Sequence, residues 1–142
     1  MFDIGKFLIF DFFKPGGNIM PCLFCSNFLT IELENELSFA IYDQYPVNKG
    51  HMLIIPKRHF SSFFEATPDE IEKMYELIND CKEKLDKQYQ PDGYNVGVNI
   101  GEAAGQTIMH LHIHLIPRYN GDVEKPAGGV RHLKSELVPY DG

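Results

Sequence analysis

Two periodicities divide the chain from residue 37 onward. "LSFAIYD" (37–43) and "HMLIIP" (51–56) are short, β-rich apolar runs separated by "QYPVNKG", whose Pro46 and Gly50 mark a loop. A helical period then takes over. Thr67 predicts an N-cap, Pro68 sits in the first turn, and Glu70 completes a capping box. Ile71, Met74, Tyr75, Ile78, Cys81, Leu85 and Tyr89 recur at helical spacing and predict the buried stripe, with Cys81 an inert core thiol. Pro91-Asp92-Gly93 ends this helix. "YNVGVNI" (94–100) predicts a further strand, "GEAAGQT" (101–107) a glycine-rich loop, and "HLHIHLIP" (110–117) the last core strand. The tail beyond it has Gly-bearing turns and no period, which predicts a surface wrap. Strands without βαβ alternation and one long helix imply an α+β domain with a mainly antiparallel sheet of about five strands.

Residues 1–19 are organised differently. Five of the 11 Phe lie in the first thirteen residues. Asp3, Lys6 and Asp11 interrupt the run, no basic segment precedes it and no small-residue cleavage site follows, which argues against a signal peptide. Gly16-Gly17 must be encoded GGN-GGN, with two codons between them and Met20, where a bacterial ribosome-binding site would stand. The segment is therefore read as an N-terminal extension, a core element or a translated leader ahead of a start at Met20. Residues 20–142 are read as one domain.

Composition narrows the partners. Thirteen Lys+Arg against 20 Asp+Glu give a formal net charge of −7. Nucleic-acid polymers and anionic membranes need basic surface, so neither is the expected partner. No apolar stretch approaches the roughly 18 residues of a membrane span. Three cysteines make no disulfide framework, and Cys22 and Cys25 stand at a spacing that suggests metal or redox chemistry in a cytoplasmic protein.

The chemistry concentrates in "HLHIHLIPR" (110–118). On a strand, alternate side chains share a face, so His110, His112 and His114 would line one side at intervals of about 6.6 Å, while Leu111, Ile113 and Leu115 face the core. Such a row suits a metal site or a nucleophile flanked by hydrogen-bonding partners. The preceding loop brings glycine amides, Gln106 and Thr107 toward an anion, as a phosphate site requires. Together they point to nucleophilic phosphoryl or nucleotidyl transfer.

"GQTIMHLHIHLIPR" resembles the histidine-triad (HIT) family signature, and "KGHMLIIPKRHF" and "CLFC" resemble other segments of that family, over about residues 20–120. "HLIPRYNGD" is more similar to the dinucleoside-polyphosphate hydrolase (Fhit-like) and bacterial branches than to the Hint phosphoramidase branch, whose active-site tryptophan this Trp-free chain cannot supply. The resemblance implies a nucleotide hydrolase acting at the α-phosphate of a dinucleoside polyphosphate or related nucleotide. Phosphoramidate hydrolysis and a nucleotide sensor with little turnover are the alternatives. By the same resemblance His112 is the nucleophile, His114 and Thr107 hold non-bridging oxygens, and Asn99 and Gln106 lie toward the phosphate. Asp43 would bind ribose hydroxyls, and His51 would border the pocket. Cys22, Cys25, His59 and His110 would form a structural zinc site, His110 being shared with the triad. A divalent cation accompanying the substrate is compatible with such chemistry, and relatives pair as homodimers through the helix and a strand.

Overall fold

The computed structural model describes residues 21–133; the N-terminal extension inferred for 1–19 lies outside them. Five strands form one sheet: β1 (Leu33–Glu34), β2 (Ser38–Tyr42), β3 (Met52–Pro56), β4 (Gly93–Gly97) and β5 (Ile113–Arg118). Their order is β1-β2-β3-β5-β4, and every neighbouring pair is antiparallel. Among the described residues one long helix, α1 (Pro68–Tyr89), crosses one face. The α+β architecture expected from the sequence is the one observed.

Helix α1 starts where its sequence says. The Thr67 hydroxyl accepts from Glu70 N while the Glu70 carboxylate accepts from Thr67 N, and Pro68 occupies the first turn, where its missing N–H costs nothing. Glu70 also accepts from Arg58 Nε and Nη2 at 3.1 and 2.9 Å, which ties the helix start to the segment after β3. Gln90 closes the helix in a left-handed conformation. The buried stripe is Met74, Leu77, Cys81 and Leu85, packed on Ala40, Met52, Ile54 and Leu115. Each buried Leu or Met contributes about 1.5–3 kcal/mol over an exposed one. Two positions differ from the pattern reading. Leu77 is buried, and Tyr75 is 66% exposed, because the burial row 70-74-77-81-85 leaves Tyr75 on the flank. Cys81 is fully buried, and burial pushes its thiol up to about 12.

The opposite face carries a second apolar cluster of Phe24, Phe39, Ile41, Leu53 and Ile55, joined by Cys22, Leu23, Leu29 and Ile108. Phe24 lies in a short 3-10 turn, Leu23–Cys25, between the two cysteines. This N-terminal segment thus lies on the sheet face away from α1.

The strand predicted over 110–117 begins later, at Ile113. Antiparallel register would set Leu111 opposite Pro56, which has no N–H to continue the ladder. Leu111 N donates instead to Phe60 O at 2.7 Å, and the Pro56 carbonyl accepts from the His110 ring. His110 and His112 therefore stand in the approach to β5, and only His114 lies on the strand itself. Likewise β4 ends at Gly97, so Asn99 sits in the connection beyond it.

Candidate active site

The three triad histidines differ in burial and in partners. His110 is wholly buried, His112 is 7% exposed and His114 is partly exposed on β5, where alternate residues turn away from the core. The His112 and His114 ring centroids lie 5.2 Å apart. Phe24 stands edge-on to both His110 and His112, at 5.9 and 5.3 Å. Phe24 is not among the site residues that the sequence implies; its place between two cysteines is the signal that marks it.

Hydrogen bonds to groups of fixed character settle the protons. His112 Nδ1 lies 2.8 Å from the His110 carbonyl, which can only accept, so Nδ1 carries a proton and the neutral tautomer is the one with its lone pair on Nε2. His110 Nε2 lies 2.8 Å from the Pro56 carbonyl, so that nitrogen donates and Nδ1 is bare. Burial lowers the pKa of His110, with the Pro56 carbonyl opposing. The pKa of His114 is lowered to about 4, first by burial and then by His112 and His51, against the pull of Asp43. Burial likewise lowers the pKa of His51, again with Asp43 opposing.

The glycine-rich loop closes on itself. Gly101 and Gly105 both have positive φ, which permits the tight 3-10 turn Glu102–Ala104 between them. The Gln106 side chain, only 4% exposed, accepts from Gly101 N and donates to the Ser61 and Ile108 carbonyls. Its amide is thus committed to backbone groups, and through Ser61 it ties the loop to the segment after β3. Thr107 is exposed, and Asn99 Nδ2 lies 4.0 Å from where a Cβ on Gly105 would stand.

Asp43 follows β2 directly and His51 precedes β3 directly, so hairpin pairing puts them side by side. Asp43 Oδ2 lies 3.5 Å from His51 Nε2 and 4.0 Å from His114 Nδ1. Its other oxygen accepts from Tyr45 N at 2.8 Å. Asp43, His51, His112 and His114 therefore stand on one continuous stretch of this face. The surface hollow lined by Asp92, Tyr94, Arg118 and Glu124 contains none of them.

Cys22, Cys25, His59 and His110 converge. One ligand atom from each lies within 4.8 Å of all the others. His110 Nδ1 is 3.5 Å from both Sγ atoms and 3.1 Å from His59 Nδ1, and Cys25 Sγ is 3.5 Å from His59 Nδ1. Tetrahedral zinc with its usual bond lengths sets S···N edges at about 3.6 Å and N···N edges at about 3.3 Å. These four distances match those edges, both thiols are free of disulfides, and His110 turns its bare nitrogen inward.

A family model described as "HIT domain" matches residues 29–121. An uncharacterized HIT-like protein of Methanocaldococcus jannaschii is 39% identical over 108 residues, 72% of this chain and 83% of the relative. An adenylylsulfatase of Arabidopsis thaliana is 38% identical over 89 residues, covering 63% of this chain and 45% of that protein. An AP-4-A phosphorylase of Mycobacterium tuberculosis is 33% identical over 88 residues, covering 61% and 45%. The crystal structure of a HIT family protein from Bacillus anthracis superposes with a TM-score of 0.67 at 35% identity, over 71% of this chain and 75% of that one. That of a Zn-bound histidine triad family protein from Mycobacterium smegmatis gives 0.59 at 30% identity, over 76% and 72%.

Proposed function

The chain belongs to the HIT domain family, and on that footing we propose that it is a nucleotide hydrolase in which His112 attacks the α-phosphorus of a dinucleoside polyphosphate or related nucleotide. The observation that carries the reading is the 2.8 Å bond from His112 Nδ1 to the His110 carbonyl, which in the neutral ring leaves the lone pair on Nε2. As the Nε2–P bond forms, the bond from phosphorus to the leaving group breaks, and the leaving group departs with its electron pair. The positive charge that develops on the ring is shared with the His110 carbonyl through Nδ1–H. Water then attacks phosphorus, the N–P bond breaks, and His112 is regenerated. His114, Thr107 and Asn99 would hold the non-bridging oxygens, where preorganised donors lower the barrier. Gln106 would brace the loop rather than touch the nucleotide. Asp43, with Oδ2 free of backbone donors, would accept from both ribose hydroxyls.

Cys22, Cys25, His59 and His110 would hold structural zinc, with all four positions filled by protein. The ion would fasten the N-terminal segment, and with it Phe24, against the approach to β5. His110 would then serve twice, as ligand through Nδ1 and as acceptor for His112 through its carbonyl. Homodimerisation would use the apolar groove between α1 and the edge strand β4, lined by Ile71, Tyr75, Ile78, Val96 and Val98. No helix among the described residues is long and apolar enough to cross a membrane, and the free thiols suit a reducing, cytoplasmic setting.

The relatives named for different substrates, adenylyl sulfate in one and AP-4-A in another, set the test. Turnover is measured on dinucleoside polyphosphates, adenylyl sulfate and adenosine phosphoramidate. The proposal expects the highest kcat/KM on a dinucleoside polyphosphate. A preference for the phosphoramidate would transfer the reading to the Hint-like alternative, and tight nucleotide binding without turnover would make the chain a sensor.

A further inference from the structure

Two groups of potential metal ligands occur among the described residues, Cys22-Cys25-His59-His110 and Asp43-His51-His114. They differ in where their protons are. In the first, the histidine whose outer nitrogen is fixed turns a bare nitrogen inward. In the second, Val47 N–H donates to His51 Nδ1 at 3.0 Å, so that nitrogen must be bare. The proton of neutral His51 is then on Nε2, which lies 2.9 Å from His114 Nδ1. Coordination through His51 Nε2 would move that proton to Nδ1, against the Val47 N–H. Two donors would then face each other in a site where His51 is 2% exposed. The second group is therefore a chain of hydrogen bonds and not a seat for a cation.

We propose that His51 is a positioning residue that keeps His114 as a neutral donor through Nε2 by occupying its Nδ1, and so prevents Asp43 from capturing it. Asp43 Oδ2 is 4.0 Å from His114 Nδ1, near enough to draw a proton onto that nitrogen if nothing else donated to it. A carboxylate with Nδ1–H of an imidazole leaves Nε2 bare, as an attacking base requires, which is the wrong polarity for holding a phosphoryl oxygen. Donation from His51 reverses that polarity and leaves Asp43 Oδ2 for the sugar. The Val47 amide is itself held in place. Asn48 Nδ2 donates to the Pro117 carbonyl and to Asp122 Oδ2, Tyr119 O–H donates to the Lys49 carbonyl, and Arg118 grips Asp122 with two nitrogens. The loop that sets the tautomer is thus clamped by the far end of the strand that carries His114. The role of His114 toward phosphate rests on the function proposed above.

The test is multiple-bond proton–nitrogen correlation on the full chain with 15N-labelled histidine, without substrate. It therefore fails or succeeds independently of turnover. Wild type should show His51 and His114 each protonated on Nε2 and bare on Nδ1. In His51→Leu the His114 proton should appear on Nδ1, and at mildly alkaline pH kcat should fall about 10-fold or more with KM changed far less, as for loss of a transition-state donor. His51→Gln, whose amide can donate from the Nε2 position, should return Nδ1 to the bare state and recover most of the lost kcat. A wild-type His114 protonated on Nδ1 overturns the proposal, whether or not the leucine variant folds. So does a leucine variant whose His114 Nδ1 stays bare, or a Zn2+ titration that shifts the His51 and His114 nitrogens ahead of those of His59 and His110.

Discussion

Gly50 joins the fold to the site at one atom's cost. It sits just before His51 with φ +89, and a Cβ there would lie 3.0 Å from Leu85 Cδ2, 3.0 Å from Tyr89 Cδ2 and 3.2 Å from Pro117 Cγ. Gly50→Ala therefore combines two penalties. A left-handed non-glycine residue costs about 1–2 kcal/mol. Overpacking adds about 1–3 kcal/mol, because Leu85 is wholly buried and has nowhere to move. Together they predict a loss of about 2–5 kcal/mol, or a fall of roughly 1–3 M in the urea midpoint at an ordinary m-value. Gly93→Ala is the control: its Cβ would meet nothing within 4 Å and its φ is not positive, so its midpoint should hardly move. Strain released by pushing the backbone outward would displace His51, so nucleotide turnover should fall in the alanine variant even where it is folded. A Gly50→Ala midpoint as close to wild type as that of Gly93→Ala would refute the reasoning.

Purified protein should carry about one zinc per chain, and chelation should lower Tm, since metal affinity becomes folding free energy; Cys22→Ser should abolish the metal, and unchanged content would remove Cys22 from the set. Asp43→Ala should weaken ribonucleotide binding by roughly 1–3 kcal/mol while 2′,3′-dideoxy analogues lose less; calorimetry showing equal losses would mean that Asp43 does not act through the sugar. His114 links stability to pH, because its folded pKa of about 4 lies below the ordinary value of 6.5. The native state then binds fewer protons than the unfolded chain between those values, so stability present above the upper one is lost as pH falls toward the lower, by up to about 3 kcal/mol. Urea midpoints across that window should show the slope, and His114→Asn should flatten it.

The sequence made local features legible and left distant ones hidden. The Thr67 cap, the Pro68 start and the stop at Pro91-Asp92-Gly93 depend on neighbours in the chain, and the pattern placed α1 accordingly, although the left-handed turn at Gln90 that closes it was not foreseen. The alternation of "HLHIHLIPR" likewise put Leu111, Ile113 and Leu115 in the core. Which histidine lies on the strand was not legible, because the ladder stops at Pro56, more than fifty residues away in the chain. Nor was the choice between Tyr75 and Leu77 for burial, which differ by a rotation that only the sheet decides. Gln106 reads as a phosphate donor until Gly101, Ser61 and Ile108 are seen to occupy its amide. The Val47 amide that fixes His51 leaves no trace in side-chain identity at all.

The central claim is that His112 forms a bond to phosphorus. A reaction on a nucleotide labelled at the α-phosphate is quenched during turnover, and the protein is digested. Wild type should yield acid-labile, base-stable label on the peptide containing His112. His112→Ala should yield none, bind nucleotide nearly as well, and turn over at least about 10³-fold more slowly, since the lost interaction exists only during bond exchange. Label trapped on the alanine variant at the wild-type level would place the nucleophile elsewhere and contradict the account.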